Sequence, residues 1–432
     1  MPSNAFSKEE IVAYEQLLEG FDDALVLSNL VDKYVTDQVT MERTNDVIWR
    51  PQPYIMQTYA GSDMTTKFQS ATQLTVPATI GFQRSSPWTL SARELRDALQ
   101  ERRLTDGAKQ RLASDINLAI TNVACLTGTV FVKRPTASIG FDDVAQCDAA
   151  FNELGVPMED RKLLYSSRDY NGAANNLANG AANQARSFGN DISDSALRRA
   201  NVGMICGFDT FKADYVNRLT AAAGGAGITI NTATQFYVPK ATTVSATGEM
   251  SNVDNRYQQV TVNTTASVKA GDAFQIGTAV AGTLVEAVHM ITKQPTGQAK
   301  TFRVVSVDSG TTMTISPPII SALGGSDAEL QYQNCVANAP AAGVAIVFLN
   351  TSTNFVNPFW CKSALEILPG RLAIPTNAGA GVMAESTSQG FQLVMTKQFD
   401  IKTLNTFYRV DLLFGVVNKQ PEMTGALMFS QP

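Results

Sequence analysis

NVDNRYQQVTVNTTASVKAGDAFQIG, residues 252–277, is the stretch whose reading decides the fold. Val260 and Val262 alternate with Thr261 and Asn263, and Ala273-Phe274-Gln275-Ile276 follows a Lys-Ala-Gly-Asp turn. Period-two alternation bounded by Gly and Asp predicts two β-strands and a turn, the pattern of a hairpin. Turn signals then recur at short intervals across 222–344: GGAG, ATGEMSN, KAGD, VDSGTT and LGGSD. This all-β block interrupts a chain that reads as mostly helical before it and as mixed α/β over 345–399. Mixed, then all-β, then mixed again is the order expected when one domain is inserted into another.

The 432 residues correspond to two to four domains at roughly 150 residues each. Apolar residues make up 44%, enough for buried cores. Charged residues are 17%, below the usual share of about a quarter, which points to surface covered by partners. Net charge is −5 and no basic stripe is visible, so binding nucleic acid by phosphate neutralisation is not expected. Arg102-Arg103 and Arg198-Arg199 read as solvated helical faces. The five cysteines (Cys125, Cys147, Cys206, Cys335, Cys361) show no CxxC pair and read as reduced thiols of a cytoplasmic product. MPSNAFSKEEIVAY lacks a charged-then-apolar leader and no 18-residue apolar run occurs, so the expectation is a soluble chain with no membrane partner.

Along the chain, 7–33 reads as an amphipathic helix broken near Gly20, opened by a Ser7/Glu10 capping box. Residues 46–86 carry short β-like runs and few bulky residues, the pattern of an extended two-stranded excursion that packs on something else. Ser91 and Glu94 form a second capping box ahead of one long helix over 91–128. Leu95, Leu99, Ala108, Leu112, Ile116, Ile120 and Val123 form its stripe, and Gly107 marks a bend. FDDVAQCDAAFNELG reads as a helix stopping at Gly155, KLLYS as a buried strand, DYNGAANNLANGAANQA as a helix with loops, and FYRVDLLFGVVN (407–418) as a final strand.

Candidate chemistry is sparse. Asp308-Ser309-Gly310-Thr311 matches the aspartic-protease pattern, but that chemistry needs two carboxylates sharing a proton, and no second copy occurs. The same residues read as a hairpin turn joining Val304–Val307 to Met313–Ile315. Gly379-Ala380-Gly381 lacks the strand and helix of a dinucleotide loop, and Gly224–Gly227 reads as a hinge. The single histidine, His289, has no acidic or Cys neighbour in sequence and reads as structural. No catalytic, cofactor-binding or metal residue is assigned, and no cofactor is expected.

NDVIWRPQP (45–53), LSARELRDALQERR (90–103), NLAITNVACLTGTVFVKRP (117–135), the NVDNRY-led segment 252–277 and TNFVNPFWCKSALEI (353–367) together carry a resemblance. In order and spacing the chain resembles the major capsid (coat) proteins of tailed bacteriophages, of α+β Hong Kong 97-type fold. Within these it is similar to the short-tailed Salmonella phage subgroup, which bears an inserted β-barrel. The resemblance implies an N-terminal arm (1–45), an extended loop (46–88), and a peripheral domain with a spine helix (89–130 and 400–432). It further implies an axial domain (131–221 and 345–399) and the insertion (222–344). It implies a non-enzymatic structural role: self-assembly into hexamers and pentamers of an icosahedral head around a scaffolding protein, with a portal protein as a further partner. The head would be assembled in the bacterial cytoplasm, become part of the virion, and enclose double-stranded DNA without sequence-specific binding. A loop opening the barrel, here 241–257, would reach a neighbouring subunit, and its charges Lys240, Glu249, Asp254 and Arg256 are the expected inter-subunit contacts. The alternatives are a β-domain hydrolase using Asp308, or another structural virion part such as a tail protein.

Overall fold

The computed structural model describes residues 6–34, 47–53, 55–65, 67–94, 98–179, 203–223, 227–279, 281–336, 340–373 and 381–432. The Gly224–Ala226 part of the expected hinge, Arg198-Arg199 and Gly379 lie outside them. The fold is α+β, in two compact units. One holds residues 1–48, 78–120 and 366–417; the other holds 49–77, 121–365 and 418–432.

The first unit is built on the strand Asn405–Asn418, which pairs antiparallel with Gln392–Asp400 on one side and Phe82–Ser91 on the other. Gly381–Ser386 extends the sheet beyond Gln392–Asp400, while Leu365–Pro369 and the parallel Asp32–Lys33 continue it the other way. An expected boundary at residue 400 thus falls between two paired strands. The helix Lys8–Ala24 buries Tyr14, Leu17 and Phe21, spaced at helical period, against this sheet. The Tyr14 hydroxyl donates to the Leu393 carbonyl at 2.6 Å, and Phe21 meets Phe391 edge-on. The Ser7/Glu10 box forms, with Glu10 N to Ser7 Oγ at 3.2 Å. The expected break at Gly20 does not occur. Helix continues through it to Ala24.

The long helix is Ala98–Thr127, roughly 45 Å at 1.5 Å per residue, and it runs through Gly107. Its buried stripe passes through Ala108, Leu112, Ile116 and Ile120, then shifts from the expected Val123 to Ala124.

The second unit is built around two large sheets. A mixed six-stranded sheet runs Val130–Lys133, Thr424–Met428, Asn357–Cys361, Arg161–Ser166, Phe208–Ala213, Met204–Ile205. The helix Phe141–Leu154 packs on it and stops at Gly155, whose left-handed φ of 78° closes the last turn. Phe151, Phe208 and Phe359 form the aromatic centre of that core, with the buried Arg161 guanidinium over two of the rings.

The other sheet is the all-β block. Its order is Gln258–Thr261, Thr312–Ser316, Thr301–Val307, Ala273–Ile276, Ile346–Phe348, all antiparallel. Residues 228–231 close it into a barrel. Ile230 N donates to Val344 O on one edge and Asn231 N to Thr261 O on the other. The interior is Ile230, Val260, Val262, Phe274, Ile276, Phe302, Val304, Met313, Ile315 and Phe348. Both strands expected in 252–277 form, but they are not a hairpin. Each pairs with a segment further along the chain, and two strands of the sheet separate them. The Asp-Ser-Gly hairpin does form, with Val304 opposite Ile315 and Val307 opposite Met313.

Candidate functional site

The most exposed feature of the barrel is a two-stranded hairpin, Thr242–Val244 with Met250–Asn252, every residue of which faces solvent. Its turn is closed by Ser245 N to Glu249 O at 2.9 Å and Gly248 N to Ser245 O at 3.0 Å. Val244 and Met250 stand opposite each other at 62% and 71% exposure, which leaves an apolar pair at the far end of a polar loop.

The base of the hairpin is fixed by Asn255, a buried residue. Its amide donates to Lys240 O at 2.8 Å and Val253 O at 3.0 Å, and its carbonyl accepts from Lys240 N and the Tyr237 hydroxyl, each at 3.0 Å. With both ends of its side chain satisfied, Asn255 holds the two strands in register where they leave the barrel. Sequence reading passed over Asn255 and Tyr237. The signal was present in Asp-Asn-Arg, since Asn and Asp favour side-chain-closed turns.

The four expected contact residues divide into two pairs. Lys240 and Glu249 are exposed on the hairpin and its base. Asp254 and Arg256 bond to each other: Arg256 Nη2 lies 2.6 Å from Asp254 Oδ2 and Nε 2.9 Å from Oδ1, while Nη1 donates to Asn418 O at 2.9 Å. Burial alone would pull the Arg256 guanidinium down, but its hydrogen bonds to Asp254 hold it above its ordinary value. Asp254 also bridges to Thr75 of the excursion. The Asp254 backbone thus joins the barrel to the excursion, and the Arg256 side chain joins it to the C-terminal segment.

The excursion lies along the barrel's short helix Asp327–Tyr332. Ser70 N donates to Asp327 Oδ2 at 2.8 Å, Gln331 Nε2 to Ser70 O at 2.7 Å, and the Tyr332 hydroxyl to Thr72 O at 3.1 Å. On another side the barrel grips the end of the long helix. Arg303, fully buried, donates to the carbonyls of Cys125 at 2.7 Å, Gly128 at 3.3 Å and Gly271 at 3.0 Å. Burial brings its guanidinium down to about 10, and the helix C-terminal carbonyls it faces favour the cation.

Asp308, the residue of the hydrolase alternative, and His289, expected to be structural, both sit in turns. Asp308 accepts from Gln259, Ser306 and Thr314, and these bonds hold its carboxyl below the ordinary range at the exposed tip of its hairpin. His289 Nδ1 accepts the backbone N–H groups of Ile291 and Thr292, the work of a turn-closing residue.

The barrel, braced by buried charges, thus carries a solvent-exposed hairpin held at its base by Asn255. The chain belongs to the P22 coat protein family: the family model described as P22 coat protein, gene protein 5, matches residues 1–430. It is a major capsid protein of a phage head, and its place is the virion capsid. The I-domain of the CUS-3 coat protein is 38% identical over 28% of this chain and 95% of that domain, with a TM-score of 0.22. A Mycobacterium phage Che8 structure is 9% identical, covering 93% of this chain and 90% of that one, with a TM-score of 0.46. The capsid protein of cyanophage P-SCSP1u is 10% identical over 93% and 87%, with a TM-score of 0.43. The assignment rests on the family match.

Proposed function

We propose that the chain self-assembles, without enzymatic activity, into hexamers and pentamers of an icosahedral head that encloses double-stranded DNA. Assembly would take place in the host cytoplasm around a scaffolding protein, with a portal protein as a further partner. In this reading residues 1–45 act as an arm and 46–88 as the extended loop. The inserted barrel is taken as 222–350, since Ile346–Phe348 is one of its strands and Asn350 binds Asp272. The strand segment 381–417 goes with the peripheral sheet and 424–428 with the axial one. The observation that carries the assembly reading is the hairpin 242–252, exposed throughout yet held at its base by Asn255. Such a hairpin adds nothing to its own subunit's core, so its stiffness serves a contact made elsewhere. Lys240 and Glu249 are the charges it offers, with Val244 and Met250 at its end. A net charge of −5 suits an inner wall that must not hold DNA phosphates tightly.

Negative-stain microscopy of the purified chain, alone and with a scaffolding protein, is the direct test. Closed shells or shell fragments are expected. A monodisperse monomer or dimer under every assembly condition would sink the proposal.

A further inference from the structure

The second unit carries a half-open cavity of about 90 Å³ between the excursion, the barrel and the C-terminal segment. Its wall includes Arg256, Lys293 and Lys300 against a single carboxylate, Glu422. Two of these cations have partners. Arg256 is held by Asp254, and Lys300, almost fully buried, pairs with Glu422, which also accepts from Asn334 Nδ2 at 3.0 Å. Lys293 is different. Its ammonium donates to the Gln333 carbonyl at 3.0 Å, and among the described residues no carboxylate lies within ion-pair distance of it. Its backbone sits at φ 56°, a left-handed conformation disfavoured for a residue with a side chain, at the tip of the turn His289–Gln294. The fold tolerates that conformation and thereby sets in the cavity wall a cation on which Glu422 acts only from beyond ion-pair distance.

We propose that this cavity binds a small oxyanion, with Lys293 as its principal ligand and Lys300 beside it. A water needs about 10–15 Å³ of such space, so the cavity has room for several waters or for a compact tetrahedral or planar anion. The occupant would join three chain segments, the excursion, the barrel and the C-terminal segment. It would bring to Lys293 the counter-charge that Glu422 gives Lys300. The charged and titratable groups that share the cavity wall with Lys293 are Glu422, Lys300, Arg256 and Tyr332, and burial brings its amine down to about 8. Lys293 is therefore charged at pH 7 and largely neutral at pH 9.

The test is calorimetric titration of the purified subunit with sulfate, whose charge is constant over this range, against chloride at matched ionic strength. Saturable binding is expected at pH 7, at least tenfold weaker at pH 9 and in Lys293→Met. Lys293→Arg, which stays charged, should retain binding at pH 9. Absence of saturable heat in the wild type at pH 7, or unchanged affinity in a folded Lys293→Met, would overturn the proposal. So would a Lys293→Arg chain that loses sulfate at pH 9 in step with the wild type. Shell formation is scored separately, so failure here leaves the assembly reading standing and the reverse holds too.

Discussion

Glu10 shows how much one residue changes between sequence and fold. Its spacing from Ser7 identifies a capping box, and the box forms. The same carboxylate also takes Lys397 Nζ at 2.5 Å and the Tyr408 hydroxyl at 2.7 Å, residues nearly four hundred positions away. Burial alone would raise its pKa, but hydrogen bonds from Lys397, Tyr408 and Ser7 outweigh burial and hold it below the ordinary 4.5. The unfolded chain therefore binds the proton more readily, so this stabilisation is complete above about 4.5 and lost as pH falls through the folded value. Glu10→Gln should lower the unfolding free energy by about 2 kcal/mol at pH 7, the scale of hydrogen bonds to a charged group. Urea denaturation from pH 7 to pH 3 checks it: the gap to wild type should close in acid, and a gap constant with pH would refute the argument. Arg303 teaches the converse lesson. In TFRVVSV it alternates with the core residues Phe302 and Val304 and so points off the barrel, where the sequence predicts solvent. It is buried because the end of the long helix covers that face.

Among elements, the strand Ala273–Ile276 is the one on which the barrel depends. Phe274 stands directly opposite Phe302 on one side and Phe348 on the other, with ring centroids 5.7 Å and 6.2 Å apart. It links strands whose sequence separation makes their pairing costly in loop-closure entropy. Phe274→Ala should cost about 3–5 kcal/mol, the range for truncating a buried aromatic. The barrel is expected to lose cooperative unfolding first, read as loss of protection in amide hydrogen exchange at residues 258–261 and 301–316. Protection lost equally along the first unit's sheet would mean that the barrel is not a separate cooperative element. The local signals for these strands were clear in sequence. Which strand pairs with which was not, because alternation and turn residues report on a single strand and its nearest turn.

For the whole molecule, assembly separates what stabilises the subunit from what joins subunits. The hairpin 242–252 is exposed along its length, so replacing 244–250 by a two-residue Asn-Gly turn should change subunit stability by no more than about 0.5 kcal/mol. Shell yield or shell resistance to urea should nevertheless fall. Normal shells of normal urea resistance would remove the hairpin from the contact surface. Asp254→Ala should behave in the opposite way. It leaves Arg256 buried without its partner and should weaken the subunit itself by about 3 kcal/mol, the scale of breaking a largely buried pair. Denaturation of the unassembled chain separates the two cases.

The sequence by itself determined the α+β class, the position of the all-β block, the capping boxes, the Gly155 helix stop and the Asp-Ser-Gly turn. All of these follow from side-chain periodicity and backbone preferences acting over a few residues. Through the NVDNRY segment and its companions it also carried the family. Only the tertiary structure decided that the two strands of 252–277 belong to different pairs, and that residues 228–231 close the barrel. It alone divided the expected contact charges, leaving Lys240 and Glu249 on the surface while Asp254 and Arg256 pair within the chain. Those outcomes depend on which distant segments meet, and a charge two residues from its partner in sequence gives no sign of whether it will be buried with that partner or left to water.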